Sequence, residues 1–126
     1  MGKGIHESGE DYLETIYLLS QKKAGVHSVD IANELNYSKP SITRAMKILR
    51  ANGLIVMDAD NHIRLTAEGN ARAEEIFDRH DTLTKFWVLN GVSAETAARD
   101  ACRMEHDISE ETFARIKEIV RNSPMV

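Results

Sequence analysis

The sequence predicts a mainly α-helical protein: a winged helix-turn-helix with a two-stranded wing, and a helical dimerisation domain joined to it by a long fourth helix. Three observations indicate this fold class. Apolar residues recur at helical spacing through most of the 126 residues, and the period becomes strand-like only between Leu54 and Leu65. Two short helices joined by a tight turn precede that change. A chain of this length holds at most two structural units, which we expect at residues 1–70 and 71–126.

The first helix is predicted from Gly9 to about Lys22, because apolar residues recur there at helical spacing. Residues 1–7 are expected to form a loose lead-in. Asp11 and Glu14 lie three residues apart near the start of this helix, on a face of their own. Acidic residues are favoured in a first turn by the helix dipole. A structural role and a metal-binding role for this pair therefore both stay open at this point.

A tight turn at Asn36-Tyr37 joins the second and third helices into the predicted helix-turn-helix. Ser28 is expected to cap the second helix. The side chains expected to point inward from that helix are Val29, Ile31, Ala32 and Leu35. The third helix is predicted to begin at Ser38, with Pro40 in its first turn, where a missing amide costs little.

The third helix has an apolar face and a basic face. The inward stripe is Ile42, Ala45, Met46 and Leu49. The outer face carries Ser41, Thr43, Arg44, Lys47 and Arg50. From Ser38 to Leu65 the charges sum to about +3, although the whole chain carries −4. This distribution is typical of a protein that places one surface on a phosphate backbone, and the alternative is a solvated helix face.

After Gly53 the sequence predicts a β-hairpin wing, with strands at 54–57 and 62–65 and a turn between them. In winged domains the third helix enters the major groove and the wing lies along the DNA backbone. His62 and Arg64 are therefore candidates for phosphate contacts.

Three more helices are predicted after the wing. Thr66 is expected to cap the fourth, which runs to about Asn90. Its apolar stripe is Ala73, Ile76, Phe77, His80, Leu83, Thr84 and Trp87. Ser93 is expected to cap the fifth helix and Ser109 the sixth. The inward side chains of the sixth helix are expected to be Phe113, Ile116, Ile119 and Val120.

The fifth helix is expected to carry Cys102, Glu105 and His106, whose three- and four-residue spacing puts them on one face. Thiolate, carboxylate and imidazole are all metal-ligand types, but three ligands leave a first-row divalent metal short of donors. Any metal site must therefore be completed from elsewhere in the chain. His80 lies within an apolar stripe, and a single histidine in such a place is more typical of a buried core residue than of a metal ligand. Cys102 has no disulfide partner in the chain and fits a reducing compartment.

Four motifs occur in a specific order and cover nearly the whole chain. They are Glu10-Asp11-Tyr12-Leu13-Glu14-Thr15-Ile16-Tyr17, Ser38-Lys39-Pro40-Ser41-Ile42-Thr43-Arg44, Arg79-His80 and Cys102-Arg103-Met104-Glu105-His106. Together they resemble the diphtheria toxin repressor and manganese transport regulator family of metal-dependent transcriptional repressors. The chain has no apolar run long enough to span a bilayer and no signal peptide at Met1-Gly2-Lys3, so we expect it in the cytoplasm. The resemblance implies a homodimer that binds double-stranded palindromic operator DNA and controls metal-uptake genes. It implies neither a membrane partner nor a small-molecule substrate nor an enzymatic activity.

The resemblance also implies which residues bind metal and which bind DNA. The metal ligands it implies are Asp11, Glu14, His80, Cys102, Glu105 and His106. The DNA-binding residues we expect are Lys39, Pro40, Ser41, Thr43, Arg44 and Lys47. The implied cofactor is a divalent transition metal, Mn²⁺ or Fe²⁺, with Co²⁺, Zn²⁺ or Ni²⁺ as substitutes in vitro.

The sequence departs from both branches of this family. The manganese branch has a carboxylate at the position of Cys102, and the iron branch has a methionine at the position of Asp11. Because carboxylates suit manganese and a thiolate favours iron, cobalt or zinc, the ligand types do not select the metal. Thr84 and Ala98 stand where the iron branch has ligands of a second site, so that site is not expected. A C-terminal SH3-like domain, present in longer members, is not expected either.

Two alternatives remain open from the sequence. A metal-independent winged-helix protein would use the same DNA-binding surface, with the acidic and histidine residues serving only structure. A non-haem iron enzyme could use His80, Glu105 and His106 as a two-histidine, one-carboxylate set, or the acids as a di-iron site. The chain lacks the repeated Glu-x-x-His pair of di-iron bundles.

Overall fold

The computed structural model describes residues 7–124, and this part of the chain contains six helices and two strands. The elements are α1 Glu7–Lys22, α2 Ser28–Leu35, α3 Lys39–Ala51, β1 Ile55–Met57, β2 Ile63–Leu65, α4 Ala67–Leu89, α5 Ala94–Met104 and α6 Glu110–Arg121. The predicted fold class is confirmed. Of the expected lead-in, residues 1–6 lie outside the described residues, and Glu7 already belongs to α1.

The chain divides into two compact units between Glu74 and Glu75, within α4. In the first unit α1, α2 and α3 pack on one another, and α3 and α1 also contact the wing strands. The core of this unit includes Leu13, Ile16, Ile31, Ile42, Met46 and Leu49. Burying one such side chain stabilises a fold by roughly 1.5–3 kcal/mol, so this three-helix core fixes the position of α3 relative to α1.

The helix-turn-helix follows the predicted pattern with two corrections in α2. The hydroxyl of Ser38 accepts a hydrogen bond from the Ser41 amide at 3.3 Å and caps α3, at the residue where this helix was predicted to begin. The expected cap Ser28 is instead the first residue of α2; the cap is His27, whose amide donates to the Asp30 carboxylate at 2.8 Å. Val29 is 45% exposed, so the prediction that it points inward was wrong.

The wing is a two-stranded antiparallel hairpin in which Ile55 faces Leu65 and Met57 faces Ile63. The amide of Ile63 also donates to the carbonyl of Val26 at 2.7 Å, in a bridge to the segment before α2. Val26, Ile55 and Ile63 are all buried, so the wing is anchored on the helical core by its apolar side.

Thr66 and Gly69 form the junction between the wing and α4. The Thr66 hydroxyl accepts from the Gly69 amide at 3.0 Å, which confirms the predicted cap, and donates to the Gly53 carbonyl at 2.7 Å. A β-carbon on Gly69 would lie 1.9 Å from the Leu54 carbonyl oxygen. Only glycine therefore allows α4 to approach the wing this closely.

The second unit contains the rest of α4 together with α5 and α6. Ser93 caps α5 and Ser109 caps α6, each accepting a hydrogen bond from a backbone amide three residues later, as predicted. The buried apolar side chains of this unit include Ile76, Leu83, Ala97, Ala101 and Val120. Ile119 is 55% exposed, so the prediction that it faces inward was wrong, and Phe77 on the apolar stripe of α4 is also exposed. Among the described helices, none combines the length and apolarity that crossing a bilayer requires.

We expect Gly69→Ala to destabilise the first unit, even though alanine favours helix formation by roughly 0.5–1 kcal/mol over glycine. The new methyl group meets a backbone carbonyl that cannot move without shifting the wing. Overpacking of this kind costs roughly 1–3 kcal/mol, which urea unfolding followed by circular dichroism would measure. Asn70→Ala, at the exposed neighbouring position, is the control and should not destabilise. A Gly69→Ala protein more stable than the parent would contradict the close approach.

Candidate metal centre and nucleic-acid interface

The outer face of α3 presents the predicted DNA-binding residues to solvent. Lys39, Pro40, Thr43, Arg44 and Lys47 are exposed, and Ser41 is half-buried. The guanidinium of Arg44 lies 3.4 Å from the Ser41 hydroxyl, which itself accepts from the Ser38 hydroxyl at 3.0 Å. This chain of contacts holds the first turns of α3 in a defined conformation while leaving the long basic side chains available to a partner.

An open groove of about 410 Å³ runs beside α3 in the first unit. It is lined by His27, Ser28, Val29, Lys39, Ile42, Thr43, Met57 and Asn61. Residues from the start of α2, from α3 and from the wing thus surround one concave surface, next to the exposed face of α3.

Asp58 organises the turn of the wing and binds both side chains that we expected near phosphate. One carboxylate oxygen of Asp58 accepts the amides of Asp60 and His62, and the other lies 3.3 Å from His62 Nδ1 and from Arg64 Nε. The backbone amide of His62, and after it that of Asp60 and the Arg64 side chain, lowers the pKa of Asp58 to about 2. The side chains of His62 and Arg64 therefore both contact the Asp58 carboxylate in the turn of the wing. Their contact with DNA stays a prediction.

Asp58, Asp60 and His62 also bring three ligand-type atoms within 4.8 Å of one another. Sequence reasoning missed this cluster, although the spacing of alternate residues in a tight turn could have indicated it. The Asp58 oxygens already accept two amides and contact two side chains. The contacts of Asp58 within the turn thus explain why these three side chains lie close together, without a metal ion.

Asp11 and Glu14 lie on α1, and both are half-buried. Between them Tyr12 and Leu13 are buried, so the two acids flank the side of α1 that packs in the core. The ring of Tyr12 packs edge-on against Tyr37, with 5.9 Å between centroids, and burial raises the pKa of the Tyr12 hydroxyl. The helix that carries these acids is therefore in direct contact with the turn before α3.

The second unit brings together His80, Glu105 and His106, which we call the histidine–glutamate cluster. Glu105 Oε2 lies 3.1 Å from His80 Nδ1, and Glu105 Oε1 lies 3.4 Å from His106 Nε2. The Glu105 side chain is 0% exposed and that of His106 is 3% exposed. A buried carboxylate between two imidazoles offers oxygen and nitrogen donors in one place, which fits a divalent first-row metal.

The backbone around this cluster differs from the prediction. The helix α5 ends at Met104, so Glu105 and His106 lie just past it and not within it. Glu105 keeps helical backbone angles, and its amide still donates to the Ala101 carbonyl at 2.9 Å. Cys102, within α5, is exposed. The expected convergence of Cys102 and Glu105 nevertheless holds, because the Cys102 Sγ and a Glu105 carboxylate oxygen lie within 4.8 Å of each other.

Arg79 is a residue of this region to which the sequence reasoning gave no role. Its side chain is buried and donates to the backbone carbonyls of Glu105 and Ile108. The sequence does indicate that Arg79 is on the buried side of α4, since it follows Ile76 by three residues and precedes Leu83 by four.

A winged helix-turn-helix with a basic recognition helix, in a chain whose other unit buries a cluster of metal-ligand side chains, defines a DNA-binding regulator with a candidate metal centre. Comparison with known families agrees. Residues 5–63 match the family described as iron dependent repressor, N-terminal DNA binding domain, and residues 66–124 match iron dependent repressor, metal binding and dimerisation domain. The chain belongs to this family of metal-dependent repressors.

Individual relatives support the same assignment. The chain is 41% identical to the transcriptional regulator MntR of Escherichia coli over 82% of its length and 67% of that protein. It is 34% identical to an uncharacterised helix-turn-helix regulator of Methanocaldococcus jannaschii, over 90% of this chain and 92% of the relative. The apo structure of the manganese-activated repressor ScaR superposes with a TM-score of 0.76 at 25% identity, covering 90% of this chain and 54% of ScaR. The chain thus spans about half the length of that solved structure.

The low pKa of Asp58 gives a testable pH dependence for the wing. Since the folded pKa of about 2 lies below the ordinary value of 3.8, the carboxylate stabilises the turn above about pH 4. This contribution should be lost as the pH falls through about 2. Asp58→Ala should remove it at all pH values and speed amide exchange at Asp60 and His62. An NMR titration and hydrogen exchange would measure both effects, with Asp60→Ala as the control. A carboxyl titration of Asp58 near 3.8 would contradict the proposed turn structure.

Proposed function

We propose that this chain is a metal-dependent transcriptional repressor whose homodimer binds a palindromic DNA operator and controls metal-uptake genes. The observation that carries the proposal is the buried Glu105 carboxylate between two imidazoles, in a chain that also presents a winged helix-turn-helix. The names of its relatives agree, since they are regulators and one is described as manganese-activated. We also propose that residues 1–70 bind DNA, that residues 71–126 bind metal and dimerise, and that the protein acts in the cytoplasm.

The metal ligands we propose are Asp11, Glu14, His80, Cys102, Glu105 and His106. Three lines of support apply to them. The residue types are metal donors, the positions match the motifs of the family, and the three in the histidine–glutamate cluster already converge. A bound divalent cation supplies the positive charge that several carboxylates can share. The thiolate of Cys102 adds a soft donor, so we propose Mn²⁺ or Fe²⁺ as the natural metal and Co²⁺, Zn²⁺ or Ni²⁺ as substitutes in vitro.

The packing of the first unit suggests how ligands on α1 affect DNA binding. Asp11 and Glu14 are on the helix whose buried residues also contact α2 and α3. Any constraint on the position of α1 therefore constrains the recognition helix α3. If the DNA-competent arrangement binds the metal more tightly, the metal shifts the population towards it, and operator DNA must tighten metal binding in return.

The exposed face of α3 supplies the proposed DNA contacts. Arg44 and Lys47 have the reach to contact base edges in the major groove, and Ser41 and Thr43 can bind either bases or phosphates. Lys39 and Pro40 lie in the first turn of α3, where backbone amides and a lysine favour a phosphate. A dimer would place two such helices about one DNA turn apart, roughly 34–36 Å.

A metal-independent winged-helix repressor is the main alternative. It shares the α3 surface, and it differs in predicting no role for Asp11 in DNA binding. The enzyme alternative, based on His80, Glu105 and His106, has less support because the named relatives are transcriptional regulators.

We expect operator binding to require a divalent metal and Asp11→Asn to weaken the response. The amide removes a negative ligand while keeping the shape of the side chain, so more metal should be needed for half-maximal DNA binding. Anaerobic fluorescence anisotropy, with a palindrome from upstream of a metal-transporter gene and Mn²⁺, Fe²⁺, Co²⁺ or Zn²⁺, would measure this.

Glu34→Gln removes one negative charge from an exposed position on α2 and is the matched control for that experiment. It should leave the metal response unchanged. Equally tight DNA binding in chelator would refute the metal-dependent function and leave the winged-helix interpretation intact. An unchanged metal response of Asp11→Asn would remove Asp11 from the ligand set.

Two substitutions on α3 should distinguish recognition of DNA bases from electrostatic attraction to the DNA phosphate backbone. Arg44→Ala should cost roughly 1–3 kcal/mol of operator binding and reduce discrimination between operator and random DNA. Lys47→Ala should weaken both DNAs and reduce the salt dependence if Lys47 contacts phosphate. Arg121→Ala, at an exposed position of α6, makes the same charge change and should have little effect. Equal effects of Arg44→Ala and Arg121→Ala would rule out specific contacts by Arg44.

A further inference from the structure

Arg79 makes an unusual set of contacts for a residue on the inner side of a helix. Its side chain lies on α4, and the residue is only 8% exposed. A single nitrogen, Nη1, donates to the carbonyl of Glu105 at 3.0 Å and to that of Ile108 at 2.9 Å. The guanidinium thus reaches both ends of the turn that follows α5.

A third contact fixes the orientation of the guanidinium. Its central carbon lies 5.1 Å from the ring centroid of Phe113, on α6. A guanidinium over an aromatic face is attracted by the π-electrons of the ring. Arg79 therefore connects α4, the turn at residues 105–108 and α6 through one planar group.

The turn needs such a donor because it begins where α5 ends. The last carbonyls of a helix have no partner within the helix and must find donors elsewhere. Within the turn, the amides of Asp107 and Ile108 both donate to the Met104 carbonyl, at 3.0 and 3.2 Å. Those bonds leave the carbonyls of Glu105 and Ile108 to Arg79. The same turn carries the Glu105 and His106 side chains of the histidine–glutamate cluster.

We infer that Arg79 is a positioning residue for the metal centre. Its hydrogen bonds hold the backbone of the 105–108 turn, and the position of that turn sets the metal affinity. The inference rests on the proposed metal-binding function. Arg79 touches the backbone of the turn, and the Glu105 carboxylate on the same turn points to His80 and His106. Groups that orient metal ligands without contacting the metal typically contribute 10–100-fold to its affinity.

The side chain of methionine fills a similar volume but donates no hydrogen bond, so Arg79→Met should release both carbonyls. We expect it to weaken Mn²⁺ binding by about 10–100-fold. Lysine keeps the charge and the donors but lacks the planar face that packs on Phe113, so Arg79→Lys should recover part of the affinity. Competition with a fluorescent metal chelator would measure the dissociation constant for Mn²⁺. The visible absorption of bound Co²⁺ would report whether the ligand geometry changes.

Lys117→Met is the matched control. Lys117, on α6, forms an ion pair with Asp78 on α4 and approaches the same Phe113 ring at 5.8 Å, and neither of these two partners belongs to the 105–108 turn. It should lower the melting temperature of the metal-free protein while leaving the Mn²⁺ affinity within about twofold. If Arg79→Met does not fold, Arg79→Lys provides the same comparison.

The outcomes separate this inference from the proposed function. If the parent protein binds neither Mn²⁺ nor Co²⁺, the metal-binding function fails and the inference fails with it. If the parent binds metal and Arg79→Met binds it equally well with the same Co²⁺ spectrum, only the inference is overturned. Equal losses of affinity in Arg79→Met and Lys117→Met would also overturn it, because they would indicate a general effect of stability. A loss confined to the Arg79 variants, partly recovered with lysine, would support it.

Discussion

The buried carboxylate of Glu105 is the constraint on which the second unit depends. A carboxylate that is removed from water is costly unless polar groups surround it, and here His80 and His106 lie on its two oxygens. Glu105 directly follows the last residue of α5, Met104, and the backbone carbonyls of the turn that begins there need hydrogen-bond donors. The backbone bonds from Arg79 meet that need. Ligand placement and fold stability therefore rest on the same few contacts.

The first unit presents a basic surface on α3 and carries acidic side chains on the neighbouring helix α1. Asp11 and Glu14 lie beside the buried residues of α1, and the core that those residues form also positions α3. Tyr12 extends this connection to Tyr37, in the turn before α3. The helix that holds the acids and the helix that presents the basic side chains are thus parts of one packed body. This is the property that a metal-controlled DNA-binding unit requires.

Periodicity and capping rules predicted the elements well, because helix starts at Ser38, Thr66, Ser93 and Ser109 depend on local hydrogen bonds. Burial was predicted less well. Val29 and Ile119 fit an apolar stripe, yet both are exposed, since periodicity identifies a face without telling how much of it another element covers. The hydrogen bonds of Arg79 to the Glu105 and Ile108 carbonyls join residues 26 and 29 positions apart. No local pattern contains that information, so the way the turn is held was not predictable. The resemblance to the repressor family had placed His80, Glu105 and His106 in one set, and the structure brings these three side chains together.

The distribution of charge adds a second way for metal to favour DNA binding. The chain carries a net charge of −4, while the segment that we propose faces DNA is basic, so the acids that we propose as ligands supply part of the repulsion towards phosphate. Neutralising them would raise DNA affinity even without any change of shape. Such an attraction between separated charges is screened within about 10 Å at 0.1 M salt, whereas a packing constraint transmitted through α1 and α3 is not. The part of the metal response that persists at high salt would therefore be the part carried by the core of the first unit.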